Sequence, residues 1–494
     1  MKKVLLTLLF AWPAMTMTAQ PVQGGLFADT LGIKVYQLWG THAQRGYAQG
    51  YLTGDRITDL IKNYVKPSFG AYYTTARSVV SSGADIVIPA EYAQEAQSVI
   101  DGMNAAGLNP QNYDAVDIEV ANSMLDVGNV LDKKLMMGNG CSTLMSWGDA
   151  TLGTDLDGKA ICSRHMDWTI SPVLYNNNTV IVHFPTEADE RPWLLIGYAG
   201  MMSALSGVNQ DFAVFQQMMS DMTIQGLHNK QYEPIWMTLR KALEKTDYNN
   251  DGQSNVQDVR SALADRTTGF ADAFIITAMG TNHPVDSLVA MVAEITPTAP
   301  THTYRYNDFP DSIPGDNLYA ANYRIKRNNA MNFCSRYNAI RSHIGDGTLI
   351  GTALNWELMR DYSHQSTNMQ FMQYGPESDL LRLSVYGNGK PAFLNDSVDF
   401  HLSQIFANVL NGAKESRPPD LTVFPNPCRD RLDIRQVPAG DYHVTILDAG
   451  GKVVYASIRY LPGTIGRFTL DNGIYFLRIV SDSFQSVCKM RVTR

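Results

Sequence analysis

Three residues in one stretch of the chain have the types and spacing of a catalytic group. Cys141 follows Gly140 in GNGCSTLMSW, and Arg164 and Asp167 come later in ICSRHMDW. A thiolate is a strong nucleophile, and a neighbouring arginine favours it over the thiol. An aspartate carboxylate beside the sulfur can orient the amine or histidine that handles the proton. Together these residues predict nucleophilic attack on a carbonyl carbon.

Two groups are candidates for the base that removes the thiol proton. One is His165, which would give a papain-like pair, although adjacent strand positions point His165 away from Arg164. The other is the α-amino group of Cys141 itself, released by cleavage of the Gly140–Cys141 bond, with a pKa of about 7.7 to 8. A glycine before the cysteine suits that cleavage, because it has no side chain to block approach of the sulfur.

A β-hairpin is predicted to bring these residues together. CSTLMSWGDAT and GKAICSRHMDW both have strand character, and the turn formers LGTDLDG separate them. A hairpin centred near residues 153 and 154 places Cys141 opposite Met166, next to Arg164 and Asp167. Because side chains alternate along a strand, Arg164 and Asp167 share a side only where the strand bulges or ends, and we expect it to end there.

The length of the chain indicates a large protein, and its N-terminus indicates a secreted one. The chain has 494 residues, 45% hydrophobic and 18% charged, enough for more than one domain. A net charge of −8 without a basic block argues against a nucleic-acid partner. Residues 1–19, with two lysines, a short apolar stretch and small residues, predict a cleavable signal peptide. We expect no transmembrane segment, because no later apolar run is long enough.

The last part of the chain changes character. Short alternating runs separated by Gly, Pro, Asn and Asp predict a small all-β, Ig-like sandwich over residues 419–494. FPNPCRDRLDI, VTILDAGGKVVY and NGIYFLRIV resemble the C-terminal sorting domain of type IX secretion cargo. The resemblance implies the type IX machinery as a partner and a secreted or cell-surface location. A plain adhesion-type sandwich is the alternative.

The longer part of the chain resembles a second family. GCSTLMSWGDAT, DGKAICSRHMDW and LSGVNQDFAVF are similar to cysteine N-terminal-nucleophile hydrolases of the penicillin acyltransferase-like branch, related to choloylglycine hydrolases. An earlier stretch, VYQLWGTHAQRGYAQGYLTGDRI, carries the family's Arg45, Gly46 and Gly50. The resemblance implies an α+β fold, a four-layer αββα sandwich over residues 141–410. A helical segment at 20–140 would precede it as a propeptide or light chain.

The same resemblance implies roles for individual residues. Cys141 would be the nucleophile, freed by cleavage after Gly140, with Arg164 and Asp167 positioning and tuning it. Asn209, in SGVNQD, would donate to the oxyanion. In YAANYRIKRNNAMNFCSRYNAI, Asn322 and Arg336 align with a later asparagine and arginine of the family. A turn cap and a helix-surface charge are the alternatives for those two.

Five cysteines in an oxidising compartment leave at least one thiol unpaired. Cys428 and Cys488 lie near the two ends of the C-terminal sandwich and are one candidate pair. If the strands around the nucleophile adjoin as the family implies, Cys162 and Cys334 are a second. That pairing would leave Cys141 as the free thiol.

DYNNDGQSNVQD has the spacing of a calcium-binding loop between two helical patterns. The ligands would be Asp247, Asn249, Asp251, the backbone carbonyl of Gln253, and Asp258. Ser254 stands where an apolar residue is usual, and Asp258 stands where a longer glutamate is usual. The prediction is a structural calcium ion, and the alternative is an Asn/Asp-rich surface turn.

The function that these features predict is hydrolysis of a linear, non-peptide N-acyl amide by an autoprocessed N-terminal cysteine, without a catalytic cofactor. The partner would be a small-molecule amide whose acyl group and amine the sequence does not identify. Acyl transfer on the same fold, papain-like peptidase activity, and a non-catalytic calcium-binding surface protein remain as alternatives.

Overall fold

The computed structural model describes residues 20–131, 140–218, 231–265, 274–283, 288–296, 299–310, 312–328, 334–407, 422–435, 439–448, 453–466, 468–481 and 484–493. The chain divides into two compact units, Met1–Leu410 and Asn411–Arg494. The predicted signal peptide, residues 1–19, lies outside the described residues. No helix within the described ranges combines the length and the apolar character of a membrane-spanning segment.

Two β-sheets with helices beside them form the first unit, a mixed fold of the α+β class. Its strands are β1 (Gly24–Thr30), β2 (Ile33–Gly40), β3 (Ser142–Ser146), β4 (Ile161–Asp167), β5 (Asn178–Pro185), β6 (Trp193–Tyr198), β7 (Ser206–Val208), β8 (Phe212–Met218), β9 (Phe274–Gly280), β10 (Ala290–Ile295), β11 (His302–Arg305), β12 (Asn317–Ala320), β13 (Asn368–Gly375), β14 (Leu380–Val385) and β15 (Val398–His401). Its helices are α1 (His42–Leu60), α2 (Lys66–Phe69), α3 (Tyr73–Ser82), α4 (Ala90–Ala105), α5 (Ala115–Asn122), α6 (Met124–Val130), α7 (Pro172–Asn176), α8 (Ile235–Glu244), α9 (Val256–Ala264), α10 (Ile325–Asn328), α11 (Ser335–His343), α12 (Thr352–Tyr362) and α13 (Leu402–Ile405).

The larger sheet has nine strands in the order β1-β2-β5-β6-β7-β8-β9-β10-β11, and the smaller has six in the order β12-β3-β4-β13-β14-β15. β2 and β5 run parallel. The segment upstream of Cys141, predicted to be helical, therefore also supplies two strands, β1 and β2, to the larger sheet. The predicted boundary between residues 140 and 141 falls inside one compact unit.

The inner faces of the two sheets share an apolar core. Val182 of β5 and Phe215 of β8 belong to the same buried cluster as Met145 of β3 and Met372 of β13. The outer face of the larger sheet packs against the helices that precede Cys141 and against α8 and α9. The outer face of the smaller sheet packs against α11 and α12. Each sheet is therefore apolar on both faces.

The predicted hairpin is confirmed in register. Ser142 pairs with His165 and Thr143 pairs with Arg164, as expected for a turn centred between residues 153 and 154. β4 ends at Asp167, as predicted. Alternation along β4 turns Arg164 toward the larger sheet, where its guanidinium lies 5.3 Å from the Phe215 ring centroid.

Helices α1 and α4 cross closely because glycines line their contact. A Cβ at Gly50 would overlap the carbonyl of Val99, and a Cβ at Gly102 would overlap the carbonyl of Tyr47. A capping box at Thr41 starts α1, and a π-helical turn, Ile61–Val65, continues it. Gly50, which carried part of the family resemblance, thus helps to set the packing of the upstream segment.

The second unit is all-β. Its strands are β16 (Thr422–Phe424), β17 (Arg431–Arg435), β18 (Gly440–Leu447), β19 (Val453–Leu461), β20 (Gly463–Gly466), β21 (Gly473–Ser481) and β22 (Phe484–Val492). They form a three-stranded sheet, β16-β17-β20, and a four-stranded sheet, β19-β18-β21-β22. Leu432 and Ile434 of the first sheet share a buried core with Val444, Ile446 and Leu477 of the second. Two antiparallel sheets around one core agree with the short-strand pattern of the sequence.

Candidate active site

Cys141 lies just before β3, with 4% of its surface exposed. Arg164 Nη2 is 3.6 Å from Cys141 Sγ, and the backbone N–H of Asp167 also donates to the sulfur. Burial raises the pKa of the Cys141 thiol, while the Arg164 charge acts in the opposite direction. The thiol is therefore protonated near neutral pH, and the site must supply a base.

The Arg164 side chain is buried and only partly hydrogen-bonded. Its Nη2 also donates to the backbone carbonyl of Gln216, at 3.0 Å. Its Nε and Nη1 are buried without a hydrogen-bond partner among the described residues. Burial lowers the pKa of Arg164, and the charges of Cys141 and Asp167 oppose that effect. A thiolate at Cys141 would offset this buried positive charge.

Asp167 and Arg336 form a buried ion pair at the same site. Arg336 Nη1 is 3.1 Å from Asp167 Oδ2, and Arg336 Nη2 donates to Asn322 Oδ1. Burial raises the pKa of Asp167 to about 7, against the opposing effects of Arg336, Asn368 and Arg164. A carboxyl group that titrates near neutral pH can both accept and return a proton.

Gly140 has a conformation and an environment that no other residue type would fit. Its φ is +90°, and an added Cβ would overlap the side-chain amide of Asn322. Its carbonyl oxygen accepts a hydrogen bond from Arg336 Nη1, at 3.3 Å. The carbonyl of the Gly140–Cys141 peptide bond thus contacts a guanidinium and lies next to a thiol.

His165 lies on the opposite side of β4 from Arg164. Its ring stacks on Phe371, with centroids 4.1 Å apart, and its Nε2 donates to the carbonyl of Met359, at 2.9 Å. Burial lowers the pKa of His165 to about 3. His165 therefore contacts Phe371 and Met359, and a papain-like Cys141–His165 pair has no geometric support.

None of the contacts among the described residues joins Asn209 to Cys141. Its Nδ2 donates to the carbonyl of Leu243, at 3.0 Å, and its Oδ1 accepts from the N–H groups of Asp211 and Phe212, each at 2.9 Å. Its backbone carbonyl accepts from the hydroxyl of Tyr374. These contacts fix the turn between β7 and β8, so the predicted oxyanion role has no geometric support here.

An apolar cavity opens beside Cys141. Its wall upstream of the cysteine consists of Ile57, Leu60, Ile61, Tyr64, Val65, Ile118, Ala121, Met124 and Leu125. Its downstream wall consists of Cys141, Met166, Trp168, Leu174, Tyr198, Ala199, Gly200, Met201, Leu205, Gln216 and Trp236. Apart from the Cys141 thiol, the Gln216 amide and the polar atoms of its tyrosines and tryptophans, the lining is apolar. The cavity therefore suits an apolar group placed next to the sulfur.

Sequence reasoning missed two parts of this site. The apolar stripe at Ile57, Leu60, Ile61 and Tyr64 has helical spacing and was a readable signal for one cavity wall. Asn368, which donates to Asp167 Oδ1 at 3.0 Å, had no such signal, because it enters from a strand far along the chain.

In the predicted calcium loop, the carboxylates accept hydrogen bonds from the backbone of the loop itself. Asp247 accepts from the N–H groups of Asp251 and Gly252, and the Asp258 carboxylate accepts from those of Tyr248, Asn249 and Asn255. The predicted calcium ligands in this loop are Asp247, Asn249, Asp251, Gln253 and Asp258. Among the described residues, acidic and histidine groups converge to within 4.8 Å at His42, Glu190 and Glu244 instead. The structural calcium ion at this loop stays a prediction.

The two predicted disulfides are absent, because all five cysteines are free thiols. Cys162 packs between the two sheets, whereas Cys334 packs on the outer face of the smaller sheet with α11. In the second unit, the β-sheet partner of Cys488 is Leu477, and the β-sheet partner of Cys428 is Val492. The proposed pairings Cys162–Cys334 and Cys428–Cys488 are therefore wrong, and Cys141 is one of five free thiols rather than the odd one left over.

Residues 422–493 match the family model of a secretion system C-terminal sorting domain. The match covers the described strands of the second unit. The domain directs export by type IX secretion, so the chain is secreted or displayed at the cell surface. No curated protein matches the chain.

Proposed function

We propose that residues 20–410 are a cysteine N-terminal-nucleophile amidohydrolase with four αββα layers, which cleaves a linear amide that has an apolar acyl group. The sheets with a shared core and helix-covered outer faces support the layered fold. The observation that carries the proposal is the Gly140 carbonyl, which Arg336 contacts and which precedes the nucleophile Cys141.

Activation would proceed by cleavage of the chain's own peptide bond. The Cys141 sulfur attacks the Gly140 carbonyl carbon, and Arg336 stabilises the negative charge that develops on the oxygen. The C–N bond breaks, and the thiol proton moves to the released α-amine, with Asp167 as the relay. Water then hydrolyses the thioester, which leaves a carboxylate on Gly140 and a free thiol on Cys141.

The mature site would use the same groups on a substrate amide. The α-amine of Cys141 accepts the thiol proton and the sulfur attacks the substrate carbonyl. The oxyanion would lie where the Gly140 carbonyl oxygen was, next to Arg336 and Asn322. The amine product leaves with the proton, and water hydrolyses the acyl-thioester.

The apolar cavity supports the acyl specificity. Cys141 is one of its lining residues, so an acyl chain in the cavity could place its carbonyl carbon near the sulfur. Its lining offers few partners for a polar acyl group, whose burial without hydrogen bonds is unfavourable. N-acyl amides with aliphatic or aromatic acyl groups are therefore the substrate class.

Mass spectrometry of the exported protein tests the proposal. We expect a new N-terminus at Cys141 in the wild type, none in Cys141→Ala, and normal cleavage in Cys162→Ala, a matched buried cysteine. Processed protein should release acid from N-acyl amides with apolar acyl groups. An intact wild-type chain that also resists a thiol-directed acylating probe would favour the non-catalytic surface protein.

A further inference from the structure

A β-bulge lies directly opposite the end of the strand that carries Asp167. In the pairing of β13 with β4, Asn368 is opposite Asp167 and Gln370 is opposite Met166, so Met369 has no partner. Bulges redirect side chains and are common beside active sites. Here the bulge places the fully buried Asn368 side chain next to the Asp167 carboxylate.

The Asn368 amide is hydrogen-bonded on both of its ends. Its Nδ2 donates to Asp167 Oδ1, at 3.0 Å, and to the carbonyl of Gln370, at 2.9 Å. Its Oδ1 accepts from the N–H of Phe393, at 3.1 Å, which fixes the orientation of the amide. One oxygen of Asp167 therefore faces Asn368, and the other faces Arg336.

We propose that Asn368 is a positioning residue for the reaction: it holds the Asp167 carboxylate so that Asp167 in turn holds Arg336 against the carbonyl that is attacked. The inference rests on the proposed function. Without the Asn368 donor, the carboxylate is free to rotate about its χ2 angle. Arg336 Nη1, which contacts both Asp167 and the Gly140 carbonyl, then loses a fixed partner.

The role has a signature that a purely structural residue would not give. The Asn368 hydrogen bond lowers the pKa of Asp167, in opposition to burial, so its removal raises that pKa further. The ion pair with Arg336 needs ionised Asp167. The acid limb of the pH-rate profile should therefore move to higher pH when the Asn368 donor is lost.

The experiment measures cleavage at Gly140–Cys141 in the full chain across pH, in wild type, Asn368→Ala and Asn368→Asp. Asn355→Ala is the matched control, because Asn355 is also fully buried and bonds to Ser163 and Ser146 on the same sheet. We expect cleavage to slow by about 10- to 100-fold in Asn368→Ala, the typical cost of losing a hydrogen bond that orients a site residue. The acid limb should shift upward in both Asn368 variants, and not in Asn355→Ala.

The possible failures are distinguishable. A wild-type chain that stays uncut overturns the proposed function, and the inference with it. Normal cleavage in wild type, with an unshifted profile in the folded fraction of Asn368→Ala or of the near-isosteric Asn368→Asp, overturns the inference alone. Thermal melts of each variant give that folded fraction.

Discussion

The guanidinium of Arg336 donates to the carbonyl oxygen of Gly140 across 3.3 Å. The contact joins a helix in the second half of the unit to the peptide bond that precedes Cys141. Because the same Nη1 also contacts Asp167, the guanidinium cannot turn away without breaking a buried ion pair. A positive charge is therefore held at the position where self-cleavage would create an oxyanion.

Replacement of Arg336 by methionine tests this contact. Loss of one oxyanion donor typically costs about 10²- to 10³-fold in rate, so Arg336→Met should accumulate uncut precursor. Densitometry of precursor and product over time measures the rate. Arg305→Met is the control, since Arg305 is another buried arginine that donates to a backbone carbonyl, that of Tyr319. Equal rates for the two variants would contradict an oxyanion role.

The conformation of Gly140 gives a second test. Gly140→Ala combines a positive φ with an overlap between the new Cβ and Asn322, whereas Gly158→Ala, at φ +89°, has no atom within 4 Å of its Cβ. Both variants should lose about 1 kcal/mol or more of stability from the backbone strain. We expect only Gly140→Ala to remain uncut, as N-terminal sequencing would show. Cleavage in Gly140→Ala at the rate of Gly158→Ala would show that the close fit at Asn322 is unimportant.

The upstream segment should set acyl-chain preference even after cleavage. Ala121 lines the cavity from α5, and Ala121→Leu would shorten the available space. Each methylene that no longer fits costs about 0.8 kcal/mol, or about fourfold in kcat/KM. The measurement is kcat/KM across a series of N-acyl amides of increasing chain length. Ala105→Leu, at an exposed position in α4, should leave the series unchanged. An unaltered preference in Ala121→Leu would place the acyl group elsewhere.

How much of the site the sequence could predict depends on how local the contacts are. The neighbourhood of Cys141, Arg164 and Asp167 followed from one hairpin, whose turn formers and alternation set the register within thirty residues or so. Asn209 could not be placed in this way, because its turn is fixed by tertiary contacts to Leu243 and Tyr374. The Asn368 bulge was equally invisible in the sequence.

The cysteines show the opposite problem, an argument that ignored geometry. An oxidising compartment favours disulfides and an odd count leaves at least one thiol unpaired, but a disulfide also needs two Cα atoms within about 7 Å. Cys162 and Cys334 pack on opposite faces of the smaller sheet. The number of cysteines limits how many disulfides are possible, and the distances between them in the fold determine which can form.

A buried charge cluster joins the upstream segment to the rest of the unit and should make stability depend on pH. His42 Nδ1 is 2.6 Å from Glu95, and His42 Nε2 is 2.9 Å from Glu190, which lies downstream of Cys141. Burial opposes the charge on His42, but the hydrogen bonds to Glu190 and Glu95 outweigh it and raise its pKa to about 9. Arg240 completes the cluster, at 2.7 Å from Glu95.

The raised pKa fixes the direction of the effect. A histidine whose folded pKa exceeds its unfolded value of about 6.5 contributes its full stabilisation below that pH, and loses it as pH rises through about 9. Thermal melts should therefore give a Tm that falls between pH 7 and pH 10. His42→Gln should have a lower Tm at pH 7 and a flatter profile over this window, while His343→Gln, at an exposed position, should follow the wild type. A wild-type Tm that stays constant to pH 10 would mean that the His42 proton does not stabilise the association of the two segments.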